Sequence, residues 1–357
     1  MRNDTAMRAM LGVSTAILVL AAVEVASGIL APVVFALFAI ALVWPFQQAL
    51  AARVGQLPAL LVTLVLTVLV VGTLGSMAVW GISRVGQWLI RNAAQLQVLY
   101  AQTAGWLEGH GLYAAGMLAE RFNVSWLIRG FQEITLRLQS SISFLFVTLI
   151  FVILGLLEAG AAGRRLARLG EGGEAVRLAA VESAAKLRRY MLVRSLASVL
   201  TGVGVWAFAS LAGLELALEW GVIAFALNYI PFIGPLVATV LPTLFAMAQF
   251  ASWQMAVLVF VCLQLIQFMI GSYMEPRLAG RALSLSPFMV LFAVFFWALL
   301  WGIAGAFIGV PIMIAAVTLC AQFPASRWVA MLLSGDNAAA GAAKASTPGA
   351  PSVTDAS

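Results

Sequence analysis

Apolar runs close to twenty residues long follow one another along this chain, at residues 11–30, 32–50, 58–80, 142–157, 196–214 and 253–273. A helix rises about 1.5 Å per residue, so about twenty apolar residues match the roughly 30 Å hydrocarbon core of a bilayer. The chain therefore reads as an all-α polytopic membrane protein. Its composition agrees: 63% of residues are hydrophobic and 10% charged, against about 25% charged in soluble domains. Twenty Lys and Arg with 14 Asp and Glu cannot cover a soluble surface on 357 residues, which excludes the soluble enzyme classes.

The formal charge of +6 does not point to nucleic acid, because the basic residues cluster at the ends of apolar runs, as topology signals do. Cys262 and Cys320 each sit inside an apolar run and read as small buried hydrophobes, not as a disulfide or metal pair. The single histidine, His110, lies in a polar stretch beside glycines and reads as a solvated loop residue. No phosphate-binding loop, zinc spacing or nucleophile elbow is present in the sequence. We expect no enzyme, no catalytic residue, no metal and no cofactor, with sodium or a proton as the only coupling ion to consider.

Arg2 and Arg8 ahead of the first run imitate a secretory leader, with Ala26-Ser27-Gly28 as a cleavage site. The second run follows almost without a linker, so the pair reads instead as a retained transmembrane hairpin. Glu24 lies near the end of the first run. A carboxylate at membrane depth is a functional candidate, although this one is close enough to the interface for a structural role. Residues 84–137 are mixed in character, and Leu96, Leu99, Tyr100, Thr103 and Leu107 have the spacing of an amphipathic helix. The fourth run ends at Glu158 and leads into a basic segment holding Arg164, Arg165, Arg168, Arg177, Lys186, Arg188, Arg189 and Arg194, opposed only by Glu171, Glu174 and Glu182. That excess marks the cytoplasmic side.

Two apolar stretches are too long for one crossing. Residues 220–250 would extend roughly 46 Å as one helix and residues 287–320 roughly 51 Å. The first is interrupted by Asn228-Tyr229-Ile230-Pro231-Phe232-Ile233-Gly234-Pro235, where two prolines remove backbone donors. The second is interrupted by Trp301-Gly302-Ile303-Ala304-Gly305. Each reads as a re-entrant hairpin of two half-helices. With six full spans and two hairpins, only Arg84, Arg91, Arg121, Arg129 and Arg137 fall outside. The alternative of eight full spans also exports Arg277 and Arg281, against the positive-inside bias. The hairpins then have opposite topology. Phe225-Ala226 ahead of Pro242 and Phe292-Ala293 ahead of Pro311 give a faint internal similarity, and together these features suggest an inverted repeat.

Interrupted helices in such transporters line a solute or ion pathway, and the candidates follow from the breaks. Asn228 and Tyr229, with the carbonyls freed by Pro231, Gly234 and Pro235, lie at the first. Gly302 and Gly305 at the second allow close backbone approach. Gln264 and Gln267, three residues apart on the intervening helix, could face one cavity. Glu275 at the inner end of the sixth run either carries a coupling proton or pairs with Arg277 or Arg281, and pairing is the favoured reading. Glu24 and Glu158 complete the coupling candidates, and none of these carboxylates is deeply central.

The string Leu227 to Pro235, Glu275-Pro276-Arg277-Leu278-Ala279-Gly280, Ser284-Leu285-Ser286-Pro287 and Trp301 to Gly305 with Val310-Pro311 resemble the autoinducer-2 exporter family of bacterial membrane proteins. The resemblance runs in order over most of the chain. It departs at Glu158-Ala159-Gly160, a variant of an Asp-Gly pattern, and at Tyr190 to Arg194, which lacks a glycine-glutamine pair. The resemblance implies a secondary permease of the bacterial inner membrane. Some members export autoinducer-2 and others exchange sodium for protons, so the solute does not carry over.

The organisation expected is a three-span region at 1–82, an extracytoplasmic amphipathic segment at 83–138, a fourth span at 139–158, a basic cytoplasmic segment at 159–194, a transport core at 195–325 and a disordered tail at 326–357. Both termini are placed in the cytoplasm. The expected partners are membrane lipid, a small solute or ion such as an autoinducer-2-like signal, and further copies of the chain, with no nucleic acid. A sodium/proton antiporter and a non-transporting scaffold are the rival functions.

Overall fold

The computed structural model describes residues 2–95, 97–98, 109, 124–279 and 285–333. Most of the amphipathic stretch with His110, together with Arg281, Ser284 and the tail from residue 334, lies outside the described residues. The regular elements are helices: α1 (Arg2–Val25), α2 (Ser27–Val54), α3 (Gln56–Arg91), α4 (Val124–Ala167), α5 (Glu171–Leu211), α6 (Ala217–Leu227), α7 (Ile233–Phe250), α8 (Trp253–Phe268), a π-helical turn (Met269–Met274), α9 (Glu275–Ala279), α10 (Pro287–Gln322) and α11 (Arg327–Leu333).

Among the described residues, seven segments are long and apolar enough to cross a membrane: α2, α3, Ser143–Ala167 within α4, α5, α7, Trp253–Met274 and α10. This differs from the six full spans expected, because length and hydropathy alone admit α7 and α10, whereas the apolar part of α1 is shorter. The first helix boundary also shifts. It falls at Ala26, whose N–H closes α1 on Ala22 and whose carbonyl opens α2 by accepting from Leu30, and not between residues 30 and 32. At the other end of the N-terminal region, α3 runs past the apolar stretch to Arg91. Arg84 is partnered there by Glu219, so the helix continues where hydropathy fades.

The contacts group into two compact units, one of Met1–Trp44, Phe151–Met191 and Ala279–Ser357, the other of Pro45–Ile150 and Leu192–Leu278. Within the second unit, Val205, Trp220, Ile223, Phe245, Val259 and Leu263 form an apolar core. α5 and α6 cross where Gly202 meets Gly221: a Cβ on Gly221 would stand 2.8 Å from the Gly202 carbonyl oxygen. α6 also packs on α3, tied at its start by Arg84 Nε donating to Glu219 at 3.1 Å and Trp88 Nε1 to Glu215 at 2.6 Å.

The first long apolar stretch breaks where the prolines stand. α6 ends at Leu227, Ile230 N–H bonds the Leu227 carbonyl at 2.9 Å, and α7 begins after Phe232, which takes φ 62. Pro231 occupies the turn. Pro235 lies in the first turn of α7, where a missing N–H costs no helical bond. The two helices then fold back on each other. A Cβ on Gly234 would overlap the Leu227 carbonyl oxygen, and the Trp220 and Phe245 rings lie 5.1 Å apart.

α10 in the first unit is likewise two helices joined at Trp301 (φ −127, ψ 16) and Gly302 (φ 62, ψ −141). The second angle pair is one that glycine adopts far more readily than any side-chain-bearing residue. A Cβ on Gly305 would overlap the Trp297 carbonyl oxygen, and one on Gly309 would stand 2.6 Å from that of Ala293. Residues 293 and 309 would be about 24 Å apart along an unbroken helix, so the halves reverse direction. Around them, Phe307 stacks with Phe35 at 6.0 Å and Trp301 Nε1 donates to the Val23 carbonyl at 3.3 Å. Lys186 on α5 bonds Glu182 at 2.7 Å and Thr318 at 3.2 Å, and Gln322 donates to Glu182 at 2.8 Å.

Candidate functional site

The second unit holds a line of buried polar side chains, and helix periodicity explains its origin. Arg194, Ser198 and Thr201 follow one another on α5 at spacings of four and three, which puts them on one face. That face is turned inward by close packing. Gly202 admits α6, and a Cβ on Gly204 would stand 3.1 Å from Ile266 of α8. Arg194 is 5% exposed, and Ser198 and Thr201 are fully buried.

Two other elements complete the line. Asn228, at the end of α6, is 4% exposed and donates from Nδ2 to Ser198 Oγ at 3.2 Å. Its neighbour Tyr229 donates its hydroxyl to Ser195 Oγ at 3.0 Å. From the other direction, Glu275 takes Arg194 Nη1 on both carboxylate oxygens, at 2.8 and 2.9 Å. Glu275 stands directly after the π-helical turn, where the extra residue per turn changes the facing of the side chains that follow. Gln267 is buried just before that turn.

Several donors in this line have no acceptor among the described residues: Arg194 Nε and Nη2, Gln267 Nε2 and the Thr201 hydroxyl. Thr201 is unlike Thr239 and Thr243, whose hydroxyls bond the carbonyls of Pro235 and Thr239, four residues back. An orphaned buried polar group costs about 1–3 kcal/mol. Several along one helix face and its neighbours mark this line as the candidate site. Among the described residues, no three His, Cys, Asp or Glu side chains are grouped to hold a metal ion.

Some expected site residues meet here and others do not. Asn228, Tyr229, Pro231 and Gln267 lie in or beside the line, with Gly234 and Pro235 at the turn just beyond. Gln264 is exposed while Gln267 is buried, so the two do not face one cavity; three residues leave a 60° offset on a helix of about 3.6 per turn. Glu275 is paired, but with Arg194 and not with Arg277. Residues two apart do not face each other on a helix, and the Arg277 guanidinium lies 3.7 Å from the centroid of the Tyr273 ring instead. Gly302 and Gly305 belong to the first unit, as does Glu158, and Glu24 and Glu158 are both exposed. Sequence reasoning missed Arg194, Ser198 and Thr201. In the sequence Arg194 reads as one more topology charge, yet its spacing to two hydroxyl residues of the following apolar run is a readable signal.

Residues 13–325 match the family model described as AI-2E family transporter. The chain is 33% identical over 202 residues to "AI-2 transport protein TqsA" of Escherichia coli (strain K12), covering 56% of this chain and 57% of that one. It is 35% identical over 127 residues to a "Putative transport protein" of Borreliella burgdorferi, covering 35% of each chain. A "Putative transport protein" of Haemophilus influenzae is 26% identical over 344 residues, 91% of this chain and 96% of that one. The matched region thus takes in only part of the first two relatives and nearly all of the third.

Proposed function

Since the chain belongs to the AI-2E family of transporters, we propose that this multi-pass membrane protein exports a small polar solute across the bacterial inner membrane by alternating access. The observation that carries the reading is the meeting of a broken helix with a buried polar line: Asn228, at the end of α6, bonds the fully buried Ser198, which shares one face of α5 with Arg194 and Thr201. Half-helix ends expose backbone groups to a solute, and side-chain donors beside them supply specificity. A solute akin to autoinducer-2 is suggested by the name of the Escherichia coli relative.

In this reading the two folded-back pairs are re-entrant, each returning to the membrane face it left, and they form an inverted repeat. Both termini are cytoplasmic, and the protein works as a homo-oligomer. Glu275 is the counter-charge of Arg194, whose Nη1 engages both of its oxygens. Sodium/proton antiport through Glu275 is disfavoured because that guanidinium already occupies both of its oxygens, and we propose no cofactor.

Flux in reconstituted vesicles tests the function. Asn228→Ala and Gly302→Leu should lower solute flux while the protein still purifies as a folded species, and unchanged flux in both would defeat the transport reading. Topology has a separate test, with Cys262 and Cys320 replaced by serine. A cysteine at Ser252 should label with a thiol reagent confined to the periplasm and one at Ser286 should not; the reverse pattern would mean that both stretches cross fully.

A further inference from the structure

Every orphaned group in the buried polar line can donate a hydrogen bond, and only the Thr201 hydroxyl can also accept. Arg194 Nε and Nη2 and Gln267 Nε2 are donors alone, and the Thr201 hydroxyl has a hydrogen to give. Ser198 accepts from Asn228 through its oxygen, which leaves its own hydrogen to donate. These orphaned groups suit a ligand rich in acceptors.

Arg194 adds charge and shape. Glu275 occupies Nη1 alone, so the Nε and Nη2 edge, two parallel N–H groups in a planar fork, keeps the geometry that a carboxylate matches with two bonds. The guanidinium is already neutralised by Glu275, and a second negative charge beside that carboxylate is tolerated better than a third. This favours a monoanion over a phosphate dianion. Ser198 lies one helical turn further along the same face, about 6 Å away, within reach of a hydroxyl carried next to a carboxylate.

Resting on the transport reading, we infer that the solute is a small hydroxy-monocarboxylate, with its carboxylate on the Nε and Nη2 edge of Arg194 and its hydroxyl toward Ser198. Glu275 competes with the solute for the same guanidinium. It therefore sets how tightly the anion is held, and removing its charge strengthens solute binding.

The experiment is titration calorimetry on the purified full chain in detergent, with sodium L-lactate as probe, its neutral amide lactamide as comparator, and inorganic phosphate as the dianion. Lactate should bind saturably, at least about tenfold tighter than lactamide. Arg194→Gln combined with Glu275→Gln removes both charges together and should abolish lactate binding in a folded protein. Glu275→Gln alone should tighten lactate by about tenfold, a gain that a purely structural ion pair would not produce; it decides the matter if the double variant fails to fold. Absence of saturable lactate binding, lactamide binding as well as lactate, phosphate binding tighter than lactate, or weaker lactate binding in Glu275→Gln would each overturn the inference. Vesicle flux separates it from the broader reading. Lactamide flux that depends on Gly302, without lactate binding, would leave transport standing and sink the carboxylate; lactate bound at Arg194 with no flux of any solute would do the opposite.

Discussion

The two folded-back helix pairs solve one backbone problem with different interiors. α6 and α7 reverse through five residues with Pro231 in the turn, and their surroundings bury Glu219, Asn228 and Thr239. The halves of α10 reverse through Trp301 and Gly302, and of their buried side chains only Thr318 is polar. Both pairs need a glycine where a carbonyl approaches, Gly234 against Leu227 and Gly305 against Trp297. The lesson is that reversal is a backbone requirement common to both, whereas polarity is confined to the pair beside Arg194, Ser198 and Thr201. On the proposed transport reading, the first pair is the one that meets the solute.

The sharpest way to break this contrast is to remove one cation from each unit. Arg194→Met leaves Glu275 largely buried and unpaired and should cost about 3–5 kcal/mol in denaturant unfolding in detergent. Lys186→Met should cost at most about 1 kcal/mol, because its partner Glu182 is 44% exposed. Equal losses would mean that the Arg194 pair is no more buried in function than in name. Next, Gly234→Val and Gly305→Val should destabilise alike, by about 1–3 kcal/mol, since each drives a side chain into a carbonyl of the opposing half. A loss at only one of them would show that the other pair does not fold back.

The smallest effects concern hydroxyls. Thr318→Val forfeits the bond from Lys186 and should lose about 1 kcal/mol. Thr201→Val replaces an orphaned hydroxyl by an isosteric methyl and should leave stability unchanged or slightly raised, within about 0.5 kcal/mol, while lowering flux in vesicles. A stability loss at Thr201 as large as that at Thr318 would show that the Thr201 hydroxyl has a partner and is not part of a solute site.

Much of this architecture was legible beforehand, and the failures are instructive. The breaks at Pro231 and Gly302 were readable because proline and glycine act on the backbone directly, whatever surrounds them. Asn228 was readable because an amide next to such a break stands out. A spacing of three does not put Gln264 and Gln267 in one cavity, because the buried stripe on α8 is narrow enough to include Gln267 and leave Gln264 outside. Sequence proximity offers Glu275 only Arg277 and Arg281, whereas its partner Arg194 stands 81 residues away on α5.

Hydropathy run lengths, proline and glycine alone settled that this protein is a helical membrane protein with two interrupted stretches, since the cost of exposed backbone in lipid leaves the chain no other choice. Which polar residues meet was decided only in three dimensions. A buried donor or charge is stable only where packing brings its partner, and the contact of Gly202 with Gly221, the π-helical turn before Glu275 and the inward face of α5 brought Arg194, Ser198 and Asn228 into one line.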